Sequence, residues 1–310
     1  AQLAALLEAA RGTFDLSPDA EIALEAEPAH CDRAKLEALA RAGFTRVSFG
    51  VQSFAPAELA TLGRLHTPDQ ARRAVAQALA AGFPSVSLDL IFGIPGQDEP
   101  SWRGSLAAAL ALSVPHVSCY ALSIEEDSVF ERRQRQGRFE LPPEEEPLAH
   151  MEIAMEVLGA AGYLQYEPSN FARPGAHSRH NLKYWCRADY LGLGCGAHGF
   201  VDGERYANRG EPDRYLKAVE AGESPRASSA PVTPEEAREE SVFLELRKVN
   251  GLSLPGFARR HGVAFETAFA AGLAAVADLG VLYRARDRLC LTRKGMLLSD
   301  SVFDALIHVR

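Results

Sequence analysis

The sequence predicts an α/β fold: a parallel sheet arranged as an open, partial barrel, followed by a small winged-helix-like α+β module. The first observation is that helical and strand patterns alternate over the first two-thirds of the chain. The same Ala-Gly-aromatic sequence occurs at residues 42–44, 81–83 and 161–163. Glycine commonly ends a helix, so each copy marks the passage from a helix to the next strand. Repeated units of this kind predict parallel strands joined by right-handed crossovers.

The second observation is the alternation within the predicted strands, which lie at residues 21–27, 46–52, 85–92 and 116–122. One face carries branched and aromatic residues, while the other carries small or polar ones such as Ser48, Gly50, Ser87 and Asp89. An ordinary eight-stranded barrel fills its interior with branched apolar side chains. A small, polar interior therefore predicts an open barrel with a polar ligand inside. The alternative is a doubly wound sheet with polar positions near an edge.

The domain organisation follows from composition and punctuation. The chain begins on an amphipathic helix with no strand before it, which leads us to expect a missing N-terminal segment. We expect a partial barrel over residues 1–165 and an irregular extension over 166–222. A linker rich in serine, alanine and proline follows at 223–233, and a winged-helix-like domain of helices and one hairpin occupies 234–310.

Charge and cysteine content limit the possible functions. The formal net charge of -8 disfavours nucleic acid and anionic membranes as partners. No apolar run is long enough to cross a bilayer. The five cysteines are widely spaced and odd in number, which suits a reducing, cytoplasmic protein rather than a disulfide framework. Their spacing matches neither a zinc site nor an iron–sulfur site.

Glu25, Gln52, Arg64 and Asp89 fall at predicted strand ends or loops on one side of the sheet. Carboxylates, an amide and a guanidinium together suit a ligand with ribose hydroxyls, an amine and a carboxylate. S-adenosylmethionine has all three groups, as do many other metabolites.

Two further segments invite a functional interpretation. Residues 194–199 match the G-x-G-x-x-G pattern, but a predicted hairpin follows where a dinucleotide site needs a helix, so we reject that site. In the second segment, His180 precedes Tyr184 and Trp185 and could offer a nitrogen to haem iron. The alternative is a loop histidine bonded to the backbone, with both aromatic rings in the core.

Several segments together resemble the oxygen-independent coproporphyrinogen III oxidase family of radical-SAM proteins. They are EAEP at 25–28, AGFTRVSFGVQSF at 42–54, LGRLH at 62–66, LDLIFGIPGQ at 88–97, YEPSNF at 166–171 and YLGLGCGAH at 190–198. The resemblance implies a six-stranded partial barrel, of which four strands are expected here, and a C-terminal domain. It also implies that Glu25, Gln52, Arg64 and Asp89 contact S-adenosylmethionine.

The segment HNLKYW at 180–185 is similar to the H-N-x-x-Y-W pattern of the haem chaperones in this family. That similarity implies haem binding through His180, Asn181, Tyr184 and Trp185, with His180 as the iron ligand. It also implies delivery of haem to an acceptor protein, for which a membrane protein is one option.

The sequence departs from the family in two respects: neither the family's C-x-x-x-C-x-x-C loop nor its G-G-T-P segment is in this chain. A [4Fe–4S] cluster is therefore expected only in a protein that includes the missing segment. Oxidative decarboxylation of coproporphyrinogen III is the alternative function, and the absence of these cysteines makes it the weaker one.

Overall fold

The computed structural model describes residues 1–309, and these form two compact units, Ala1–His177 and Ser178–Arg310. The strands of the first unit are β1 (Ala23–Ala26), β2 (Arg46–Gln52), β3 (Ser85–Phe92), β4 (His116–Ala121), β5 (Leu164–Gln165) and β6 (Asn170–Ala172). Its helices are α1 (Gln2–Thr13), α2 (Arg33–Ala42), α3 (Pro56–Thr61), α4 (Pro68–Ala80), α5 (Glu99–Ala111), α6 (Val129–Arg135) and α7 (Glu145–Ala160).

A single six-stranded sheet organises the first unit, in the order β1-β2-β3-β4-β6-β5. The first four strands are parallel, whereas β6 pairs antiparallel with both β4 and β5. Helices α4 and α7 pack against the middle strands. The α/β fold with a parallel, partial-barrel sheet is therefore confirmed, and the bounds of β2 and β3 match the prediction.

The covered face of the sheet forms the core. Val47, Phe49 and Val51 of β2 are fully buried, as are Leu88 and Leu90 of β3. Their alternation with small and polar residues is the period-2 pattern of a strand with two different faces.

Local sequence signals explain the helix boundaries. Thr67 caps α4 in a complete capping box with Gln70. Gly43, Gly82 and Gly162 all have φ near +84 to +103, the left-handed conformation that ends a helix cheaply only at glycine.

The second unit contains two small sheets. Its strands are β7 (His198–Val201), β8 (Glu204–Asn208), β9 (Arg226–Pro231), β10 (Leu252–Ser253), β11 (Leu282–Ala285) and β12 (Arg288–Leu291). Its helices are α8 (Arg179–Trp185), α9 (Pro212–Glu220), α10 (Pro234–Glu245), α11 (Leu254–His261), α12 (Phe265–Ala268), α13 (Ala270–Val276), α14 (Arg293–Leu297) and α15 (Ser299–His308).

The winged-helix-like region consists of α10–α15 and the sheet β10-β12-β11. Helices α12 and α13 are separated by Phe269, whose φ of -123° and ψ of 33° are not helical. No helix among residues 1–309 is long and apolar enough to span a membrane.

Two segments differ from the prediction. Residues 223–233 were expected to be a linker, but β9 lies within them and pairs antiparallel with β8. Residues 166–222 were expected to be irregular, but they include β6 and α8. Both strands form because a neighbouring strand offers backbone hydrogen bonds, which a composition rich in serine, asparagine or proline does not reveal.

Candidate functional site

Asp89 lies on the polar face of the sheet between two serines of the neighbouring strands. The Ser48 hydroxyl donates to Asp89 Oδ2 at 2.8 Å, and Ser118 on β4 also hydrogen-bonds to this carboxyl group. Burial raises the pKa of Asp89 and the negative charge of Glu25 adds to the shift, while the two serines oppose it. A partly buried acid with a raised pKa is a common feature of ligand sites.

Glu25 lies on β1, directly across from Ser48 in the strand register. Its residue is exposed, so the carboxylate is accessible from the open edge of the sheet. Glu25 and Asp89 therefore flank Ser48 on the same polar surface, as the sequence pattern predicted.

Gln52 ends β2 in a strained backbone conformation. Its φ is +64°, and the N–H of Ser53 donates to the carbonyl of Val51 across it at 2.8 Å. A three-residue turn of this kind is rare outside glycine. The side-chain amide folds back over Gly50, where a Cβ atom would lie 2.9 Å from Gln52 Nε2.

Arg64, the fourth predicted cofactor residue, pairs with Glu27. Arg64 Nη1 is 3.3 Å from Glu27 Oε2, and His66 Nδ1 is 2.5 Å from Glu27 Oε1. The other ring nitrogen of His66 lies 3.0 Å from the carbonyl oxygen of Val51. Since the His66 ring fixes the chain beside Gln52, this ion pair supports the end of β2. Sequence reasoning missed it because the partners are far apart along the chain.

A second buried network lies between β3, β4 and the segment before β6. Ser87 Oγ is 2.6 Å from His116 Nδ1, and His116 Nε2 is 2.8 Å from the Tyr166 hydroxyl. Burial holds the pKa of His116 well below its usual range, so the ring is neutral at pH 7. Glu167 and Asn170 are also buried here, and neither was singled out from the sequence.

The polar surface suits part of S-adenosylmethionine, but the chain does not suit a cluster. Two carboxylates, an amide and two serine hydroxyls are appropriate partners for ribose hydroxyls and an amine. By contrast, residues 1–309 bring no three His, Cys, Asp or Glu side chains together as a metal-binding group. Cys119, on β4, is fully buried, and burial raises the pKa of its thiol.

The predicted haem segment forms helix α8 in the second unit. Ser178 caps the helix by accepting a hydrogen bond from the N–H of Asn181. His180 is exposed, and its ring meets Tyr184 edge-on at a centroid distance of 4.9 Å. Tyr184 in turn contacts Tyr190 at 4.7 Å. The alternative of a loop histidine at this position is wrong, because His180 lies in α8, and the i, i+4 spacing of a helix explains why His180 and Tyr184 meet.

Trp185, the last residue of α8, lies away from this ladder of rings. The guanidinium of Arg247 sits over its indole at 5.5 Å, and the indole N–H is buried without a hydrogen-bond partner among residues 1–309. Trp185 is therefore part of the packing between α8 and the following helices.

Tyr184 and Tyr190 also line a cavity of about 330 Å³. Phe200 and Phe243 complete an aromatic surface, and Arg187, Arg205 and Glu240 supply charge. An apolar cavity with a few converging charged groups is the usual form of a small-molecule site.

Comparison with known proteins agrees with these features. The model of the radical SAM superfamily matches residues 1–108, and that of the HemN C-terminal domain matches residues 232–298. Coproporphyrinogen III oxidase (HemN) from Escherichia coli superposes with a TM-score of 0.84, covering 99% of this chain and 74% of that one. At 22% identity this likeness shows the fold. The class of protein is thus radical SAM, with a HemN-type C-terminal domain.

Curated relatives define the family more closely. "Heme chaperone HemW" of Bacillus subtilis is 38% identical over 307 residues, which are 99% of this chain and 81% of the relative. The protein of the same name from Mycobacterium tuberculosis is 40% identical over 307 residues, 99% of this chain and 76% of the relative. The chain belongs to the HemW family of haem chaperones.

Proposed function

We propose that this protein binds haem through His180 and passes it to an acceptor protein. The observation that carries the proposal is the exposed imidazole on α8, held against Tyr184 at the edge of an aromatic cavity. A neutral imidazole nitrogen is a standard axial ligand of haem iron, and flat aromatic rings suit the face of the macrocycle. An exposed ligand also suits a carrier, because the acceptor's own ligand can reach the iron.

Titration with haem tests this proposal directly. The wild-type protein is expected to give a saturable Soret band of a histidine-ligated haem, and His180→Ala is expected to lose it. His198→Ala is the matched control, since His198 is another exposed histidine of the same unit. An unchanged Soret band in His180→Ala would remove His180 as the iron ligand.

Delivery is tested separately from binding. Haem-loaded protein is mixed with apomyoglobin, which serves as a generic haem acceptor, and the rise of the holomyoglobin spectrum gives the rate of release. Transfer of haem to apomyoglobin within minutes is expected of a carrier. Haem that stays bound for days would contradict delivery and would indicate a storage protein or an enzyme instead.

We further propose that Glu25, Gln52 and Asp89 contact S-adenosylmethionine, with Arg64 at the margin because its guanidinium already pairs with Glu27. The serine-bonded carboxyl of Asp89 and the accessible Glu25 support this assignment. Calorimetric titration with S-adenosylhomocysteine, which retains the ribose, amine and carboxylate, tests it. Asp89→Asn is expected to weaken binding several-fold and Arg64→Gln to weaken it less; equal affinities in all three proteins would reject the site.

When bound, a [4Fe–4S] cluster would supply the electron for reductive cleavage of S-adenosylmethionine. The residues that the structure describes offer no ligand set for it, and the proposed haem binding is argued from His180 and the cavity beside it.

A further inference from the structure

The cavity beside Tyr184 carries two guanidinium groups that the haem segment itself does not explain. Arg187 and Arg205 both sit over the ring of Phe200, at 4.6 and 5.2 Å from its centroid. Stacking on an aromatic face holds a guanidinium in a defined plane and leaves its edge free to bind a carboxylate.

One carboxylate serves both arginines. Arg187 Nε lies 2.6 Å from Glu240 Oε2, and Arg205 Nη2 lies 2.6 Å from Glu240 Oε1. Arg205 Nε also donates to the same oxygen at 2.9 Å. The three groups therefore carry one net positive charge, and Glu240 is bound by Nε of Arg187, one of the three nitrogens of that guanidinium.

The arginines are close to the proposed iron ligand through a short series of contacts. His180 touches Tyr184, and Tyr184 lines the same cavity as Arg187 and Arg205. At about 330 Å³ the cavity is near the lower limit for a small-molecule site. It therefore suits one edge of a macrocycle rather than the whole of it.

We propose that this cavity receives the propionate-bearing edge of haem, with Arg187 and Arg205 binding the carboxylates while His180 binds the iron. The inference rests on the proposed function and extends it to the part of the ligand that is recognised. Haem carries two carboxylates on one edge of a flat apolar ring, which matches two guanidinium groups on an aromatic wall. Charge-assisted, bidentate pairs of this type are the strong form of carboxylate recognition.

Esterified haem provides the test, because haem dimethyl ester keeps the iron and the ring but has no carboxylates. Wild-type protein is expected to bind haem about tenfold or more tightly than the ester, a ratio that corresponds to about 1.4 kcal/mol. Arg187→Gln/Arg205→Gln is expected to bring the two affinities together while the Soret position of the bound haem stays unchanged. Arg214→Gln/Arg41→Gln, which replaces two exposed arginines outside the cavity, controls for the loss of two positive charges.

Two further variants separate recognition from folding. The double arginine variant strands the half-buried Glu240, so a triple variant that adds Glu240→Gln removes the stranded charge and is expected to behave the same way. Glu240→Gln alone frees the guanidinium groups from their present partner and is expected to increase the preference for haem over the ester.

The outcomes distinguish the carboxylate site from the proposed haem binding through His180. If wild-type protein binds haem through His180 but shows no preference over the ester, or keeps its preference in the arginine variants, the carboxylate site is refuted and the haem proposal stands. If neither ligand binds, the haem proposal fails and the carboxylate site fails with it.

Discussion

The backbone conformation of Gln52, at the end of β2, can be tested directly by substitution. Its positive φ is a conformation in which glycine is normally more stable than any residue with a side chain. We therefore compare Gln52→Gly with Gln52→Ala, because both remove the amide and they differ only in a single methyl group. We expect the glycine variant to be the more stable of the two.

The magnitude follows from the backbone. A residue with a Cβ pays roughly 1–2 kcal/mol in the left-handed region relative to its right-handed one. In an ordinary strand the preference is opposite, with alanine favoured over glycine by roughly 0.5–1 kcal/mol. For a unit of this size, Ala1–His177, a difference of about 1 kcal/mol corresponds to about 2–4 °C in Tm.

The assay is thermal unfolding followed by circular dichroism, with Ile91→Gly and Ile91→Ala as the control pair within β3, where φ is ordinary. The order of the two Tm values should be reversed between the two positions. If Gln52→Ala equals or exceeds Gln52→Gly in Tm, the strained turn at the end of β2 does not exist in solution. Both Gln52 variants should lose the same affinity for S-adenosylhomocysteine, since the amide is absent from both.

Three other predictions concern stability. Asp89→Asn is expected to raise Tm, and the gain in Tm should grow as the pH rises above the ordinary range of Asp pKa values. The reason is that the Asp89 pKa is raised in the folded state, so above that range the folded wild-type protein binds a proton that the unfolded chain has released. A gain in Tm that is constant with pH would contradict this prediction. Trp102 is fully buried, and its indole N–H donates to the His150 carbonyl at 2.7 Å. Trp102→Ala should lower the free energy of unfolding in urea by about 3–5 kcal/mol, and Trp102→Phe should lower it clearly less. Gly199→Ala would place a methyl group against the Tyr206 ring and should cost about 1–3 kcal/mol of unfolding free energy, and this cost should be smaller when Gly199→Ala is introduced into a Tyr206→Ala variant.

The middle of the sheet could be read from the sequence because its signals are local. Strict alternation fixes β2 and β3, and the glycine after each helix gives the point at which a strand can begin. The capping box at Thr67 is likewise complete within four residues. Where a structural signal lies within a few neighbouring residues and one face of the element is buried, the sequence alone is sufficient to predict the element.

The remaining elements depend on partners that the sequence does not indicate. Strand β9 is exposed along its whole length, so it has no burial pattern and exists through its pairing with β8. Glu27 and Glu240 could not be identified from the sequence for the same reason. Glu27 pairs with an arginine and a histidine, and Glu240 pairs with two arginines, all from distant segments of the chain. The candidate ligand residues were found because they face one side of the sheet, but the pairing of Arg64 was not.

The residues that weaken the fold are concentrated on the polar face of the sheet. Gln52 occupies a strained turn and Asp89 is a buried acid with a raised pKa, so each lowers the stability of the folded state. Neither contributes to the apolar core on the other face, which Val47, Phe49 and Leu88 already fill. Two such costs close together, on neighbouring strands, are what we expect if these residues are kept for the proposed contacts with S-adenosylmethionine rather than for folding. A similar argument supports the proposed carboxylate site. Arg187 and Arg205 both pair with Glu240, although one arginine would be enough to neutralise that carboxylate.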